Sequence, residues 1–254
     1  MTVLGTLPIT VFGAFLVFCR IGAFFMTAPA FGDFSLSPRL RLVAAITVTM
    51  VVAPLAASAL PGFDPDNGAF LFGLIFGEIL VGIFLGLAAR MMMAALNVAG
   101  QIIAFQMGLA LAQIFDPTQE LQGAIIGGFL AILGTTMIFA TDLHHVMLIA
   151  LTDSYSLLVP GQLPAFGDLS QTMVTTLSRA FALGLQLSAP FVMFGLVFYI
   201  GAGVLNRLMP QAQVFFMLMP ANLILGLTLL MMTVGLLMSV FLTDFEQFLV
   251  QFIR

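Results

Sequence analysis

Residues 69–89 read AFLFGLIFGEILVGIFLGLAA. These 21 residues hold one charged side chain, Glu78; the rest are apolar or glycine. An α-helix rises 1.5 Å per residue, so a helix of this length crosses the roughly 30 Å hydrocarbon layer of a bilayer. A membrane strand would instead alternate apolar and polar residues over about ten positions, and no such alternation is present. Five further stretches have the same character, at residues 3–31, 42–60, 123–140, 176–205 and 214–242. The expected fold is an all-α membrane protein of about six long apolar helices.

Composition supports a lipid environment. Hydrophobic residues make up 61% of the chain and charged residues 7%, where soluble domains carry about 25% charged residues. All seven basic residues are arginine, the net charge is −4, and no basic cluster is present to follow a phosphate backbone. Nucleic acid is therefore not an expected partner. The single Cys19 lies within the first apolar stretch and is read as a small core residue. No Lys or Arg precedes the first hydrophobic run, so a cleaved signal peptide is not expected. The chain is read as one helical membrane domain over 1–254, with N-terminal helices and a central loop in 1–170 and a C-terminal helical hairpin in 171–254.

The breaks between stretches carry turn chemistry: Gly32-Asp33, Ser37-Pro38, Pro61-Gly62, Asp64-Pro65-Asp66, Asp116-Pro117 and Pro160-Gly161. Residues 91–122 differ from the rest. They contain Asn97, Gln101, Gln106 and Gln113 and are too polar to face lipid. Arg39, Arg41, Arg90 and Arg207 follow alternate stretches, while Asp64, Asp66, Asp142, Asp153 and Asp168 follow the others. Six simple crossings would put the arginines on the inner side and both termini outside.

Two constellations suggest chemistry. Glu78, Gly82 and Gly86 recur every four residues and share a helix face. Glycines there let helix backbones approach closely, and a carboxylate inside a membrane helix needs a partner, here Arg90 or Arg20. The functional reading is a proton-relay carboxylate; helix packing with a structural ion pair is the favoured one, because a single Glu makes a thin relay. Asp142, His144 and His145 suggest a metal site or proton switch. Adjacent histidines on a regular helix point to different faces, so polar residues at a helix end are the expected reading. No GxSxG, HExxH, Walker or CxxC signature is present. Neither enzymatic activity, a cofactor nor a metal is expected.

The densest motif region is Asn206-Arg207-Leu208-Met209-Pro210-Gln211, followed by Phe215-Phe216 and Met219-Pro220. It resembles the signature of the FliR family, the flagellar subunit of the type III secretion export gate. Three more blocks resemble that family in order: Arg20, Gly22, Pro29-Ala30-Phe31-Gly32, Pro38-Arg39 and Arg41; then Gly77-Glu78, Gly82 and Gly86; then Gly100-Gln101, Gln106-Met107-Gly108-Leu109 and Asp116-Pro117. The resemblance runs the length of the chain. It implies bent helical hairpins in place of six simple spans, packed into a cone within the basal body in the bacterial inner membrane. It implies one copy of this chain joined to several copies of two other membrane subunits, with unfolded rod, hook and filament proteins passing through. It also implies that a central loop plugs the closed pore, at Met107, Leu111, Ile114 and Phe115. Leu111 and Ile114 stand where the family often has aromatic residues. Arg20, Glu78, Gly82, Gly86, Asp116, Pro117, Arg207, Pro210 and Gln211 are the corresponding structural and assembly positions. Two other functions compete: a virulence-system export gate sharing the same signature, and a small-solute transporter coupled through Glu78. The transporter would prefer inverted internal repeats, and none is convincing.

Overall fold

The computed structural model describes residues 3–32, 37–57, 59–61, 68–109, 121–161, 166–209 and 214–253. These residues form seven helices: α1 (Val3–Thr27), α2 (Pro38–Ala56), α3 (Gly68–Gln106), α4 (Leu121–Ala140), α5 (Leu143–Leu157), α6 (Phe166–Leu208) and α7 (Val214–Val250). No strand occurs among the described residues. The all-α expectation stands.

The helices do not have the lengths that the apolar stretches suggested. The stretch at 69–89 is only the first part of the 39-residue α3, which runs on through Asn97 and Gln101. α6 has 43 residues and α7 has 37, roughly 64 Å and 56 Å of helix. Hydropathy reports where a helix is apolar enough for lipid, whereas capping and glycine decide where it stops. Four helices, α2, α3, α6 and α7, are long and apolar enough to cross a membrane. The pair α4 and α5, broken at Thr141-Asp142, makes a fifth if it is one bent span. The described apolar part of α1, Val11–Thr27, is shorter.

The boundaries follow from local chemistry. Ser37 caps α2 by accepting from the Leu40 N–H at 3.4 Å, with Pro38 in the first helical position. α3 ends where Gly108 adopts a left-handed φ of 79°. Gly108 N–H donates to the Phe105 carbonyl and Leu109 N–H to the Ala104 carbonyl. This pair of bonds is the Schellman arrangement, which satisfies carbonyls that the last turn would otherwise leave unpaired.

The chain divides into two compact units. The first comprises Met1–Met92, Ile138–Leu177 and Phe245–Arg254. Its core gathers Leu16, Val17, Ile21, Phe24 and Phe25 from α1, Leu74, Val81 and Leu85 from α3, and Met147, Leu151 and Tyr155 from α5. The α1 positions recur at helical spacing, so one stripe of that helix faces inward, and α2 packs against α1. The second unit comprises Met93–Met137 and Ser178–Asp244. Its core joins Leu96, Ala99 and Ile103 of α3 to Leu130 of α4, Leu187 and Phe191 of α6, and Leu237 and Phe241 of α7.

Candidate functional site

In the first unit, α1 presents Arg20 to α3, and both Arg20 and Glu78 are almost completely buried. The contact is a fork on a fork. Arg20 Nε donates to Glu78 Oε2 at 2.7 Å and Nη2 donates to Oε1 at 2.9 Å. Nη1 donates to Ser154 Oγ at 3.1 Å and Nη2 to the Leu158 carbonyl at 2.9 Å. The guanidinium carbon lies 4.0 Å over the Tyr155 ring. A buried charge pair offsets its desolvation only when geometry is good and the remaining donors are satisfied, and both conditions are met here. Arg90, the other partner considered, is exposed on α3.

Gly82 and Gly86 continue the Glu78 face and bring α3 close to α1. A Cβ at Gly82 would collide with the Arg20 carbonyl and lie 2.8 Å from Ala23 Cβ. One at Gly86 would collide with the Thr27 hydroxyl and lie 2.9 Å from the Ala28 nitrogen. The structure thus joins Arg20, Glu78, Gly82 and Gly86 in a single helix–helix contact. Beside it lies a cavity of about 270 Å³, lined by Phe70, Gly73, Leu74 and Gly77 as well as the ion pair.

The second unit holds the end of α3. Asn222 of α7 donates from Nδ2 to the Gln106 carbonyl at 3.1 Å. Met107 is 1% exposed and fills the space that a side chain at Gly226 would need, its Cγ 2.5 Å from that Cβ position. The Gln106 side chain does the same at Gly195 of α6, its Cδ 2.9 Å from the Cβ position. Met107 is therefore packed between helices. Leu111, Ile114, Phe115, Asp116 and Pro117 lie outside the described residues, as do Pro210 and Gln211. Arg207 is exposed in the last turn of α6, where a cation suits the negative end of the helix dipole.

Sequence reasoning missed two polar contacts. Arg179 of α6 pairs with Asp244 of α7, Nη2 to Oδ1 at 2.7 Å and Nε to Oδ2 at 3.1 Å. Asn222 was also overlooked. Each is an isolated polar residue within or beside an apolar run, which is the signal that singled out Glu78.

Asp142, His144 and His145 also come together, although regular helix geometry argued against it. One ligand atom from each lies within 4.8 Å of the others. Asp142 takes a left-handed backbone, φ 59°, immediately before α5. The two imidazole rings lie with centroids 4.0 Å apart, and His145 Nδ1 is 3.4 Å from Asp142 Oδ1.

These features define an integral membrane protein of the helical class, with the Arg20–Glu78 and Arg179–Asp244 pairs holding helices together. The chain matches the family of bacterial export proteins, family 1, over residues 11–248, and it belongs to that family. It is similar to the flagellar biosynthetic protein FliR of Caulobacter vibrioides, 37% identical over 225 residues that cover 89% of each chain. FliR of Bacillus subtilis is 31% identical over 91% of this chain and 90% of its own. FliR of Escherichia coli is 32% identical over 83% of this chain and 80% of its own.

Proposed function

We propose that this chain is the FliR-type subunit of a bacterial flagellar protein-export gate. It is then a non-enzymatic part of the inner-membrane channel at the basal body that exports rod, hook and filament proteins. The observation that carries the reading is the family match over residues 11–248, together with FliR relatives aligned over most of both chains. Their flagellar names favour a flagellar over a virulence export system. The geometry adds support. Large apolar side chains stand out from the long helices, with Met231 83% and Met232 79% exposed. Asn97 and Gln101 are exposed on α3 in the same chain. A surface mixing apolar side chains with amides suits other helices better than lipid alone. The occupants are the other membrane subunits of the gate, around one copy of this chain.

In this reading the segment after α3 closes the pore. Met107, packed beside Gly226, is its fixed root, and Leu111, Ile114 and Phe115 are its apolar tips. A narrow dewetted constriction is a poor path for a hydrated ion. Glu78 gives no support to a transporter, because Arg20 engages both its oxygens. The test is co-expression with the neighbouring membrane subunits, followed by the mass of the purified complex. The expected result is a hetero-oligomer holding one copy of this chain. A stable monomer that takes up a small solute would overturn the proposal.

A further inference from the structure

We propose that Asp142, His144 and His145 form a binding site for a zinc-like divalent cation at the start of α5. The donor set is two imidazoles and one carboxylate, a combination that suits zinc and its neighbours in the first transition row and not magnesium or calcium. The spacing is already close to what coordination requires. Ligands at about 2.0–2.2 Å around a tetrahedral ion lie about 3.3–3.5 Å from each other. His145 Nδ1 and Asp142 Oδ1 are 3.4 Å apart, and all three ligand atoms fall within 4.8 Å. Small side-chain rotations close the remaining gap.

Two further observations point to a ligand. His144 Nδ1 is shielded from solvent and has no hydrogen-bond partner among the described residues. Shielded polar atoms are ordinarily paired, so an unpaired ring nitrogen calls for a specific explanation. Asp142 precedes α5 at the capping position, yet its side chain makes no capping hydrogen bond. Its carboxylate is thus available, and its charge offsets the positive end of the helix, which alone would repel a cation. The bound ion would fix Asp142 and the first turn of α5 and leave a fourth position for water or a group from a neighbouring subunit.

The test uses the assembled complex and adds zinc or cobalt alone. The complex with wild-type chain is expected to bind one more ion per copy than a His144→Ala/His145→Ala complex. Cobalt bound there should show the intense visible absorption of a tetrahedral site. His145→Ala alone should weaken binding at least about tenfold, since disturbing even outer-shell partners of a metal typically costs that much. Asp142→Asn keeps a residue that tolerates the left-handed backbone, and it should weaken binding similarly. His145 and Asp142 are largely exposed, with side chains 64% and 78% accessible, so both variants should assemble normally. Equal ion binding by wild-type and double-variant complexes overturns the proposal. Displacement of the ion by excess magnesium overturns it too.

Discussion

Arg20 and Glu78 show what a single side chain contributes to this chain. Each is buried and each engages the other twice, so removing one strands the other. Glu78→Ala should cost about 3–5 kcal/mol, the usual penalty for an orphaned buried charge, and lower the amount of assembled complex. Replacing both residues by apolar side chains of similar volume should recover much of the loss, which quantifying intact complex from membranes will check. If complex abundance stays normal in Glu78→Ala while export falls, the carboxylate is functional and the packing account fails. The sequence made Glu78 conspicuous, as the single charge in a long apolar run. It could not choose between Arg20 and Arg90, because 58 residues separate Arg20 from its partner. The residues around His144 and His145 were read as polar groups at a helix end, which is where they lie; how near Asp142 comes to them was not legible, because it depends on its left-handed backbone.

At the scale of the helix, glycines act by what stands opposite them. Gly82→Val and Gly86→Val should drive α3 off α1, costing about 1–3 kcal/mol or more as overpacking. Gly73→Ala meets nothing within 4 Å and should leave the chain as stable as before, or slightly more so, through better helix propensity. Thermal unfolding of the co-expressed complex carrying each of the three variants measures the contrast. Gly108 is a different kind of glycine. Its φ of 79° ends α3, so Gly108→Val should cost about 1–2 kcal/mol, and Gly108→Asn less. Past it, deleting residues 110–114 should leave the complex assembled and raise its passive ion or small-solute permeability, the latter measured by dye release from vesicles. Loss of complex without any leak would mean that the segment is core. The apolar runs located the helices well but not their ends. The polar extension of α3 through Asn97 and Gln101 has no hydropathy signal, and a Schellman end is legible only once the helix is known to reach Gly108.

For the molecule as a whole, the exposed apolar side chains and the polar face of α3 predict that the chain does poorly alone. Expressed without its partners it should aggregate or unfold in mild detergent, and co-expression should rescue it, as size-exclusion chromatography would reveal. A monodisperse folded monomer would contradict this. Family and all-helical class were legible from residue patterns spread along the chain. How the helices gather into two compact units was not, because each unit joins segments distant in sequence.

The length of α6 has a consequence for the life of the protein in the cell. The apolar run of this helix, residues 176–205, covers about 45 Å, half as long again as the hydrocarbon is thick. A lone copy in a lipid bilayer must tilt, kink or distort the membrane around it, and the strain accumulates with every ångström of mismatch. A complex that shields the excess length relieves it. Hydrophobic mismatch would then act as a quality-control mark, exposing orphan copies to membrane proteases, and the steady-state level of this chain should rise and fall with that of its partners.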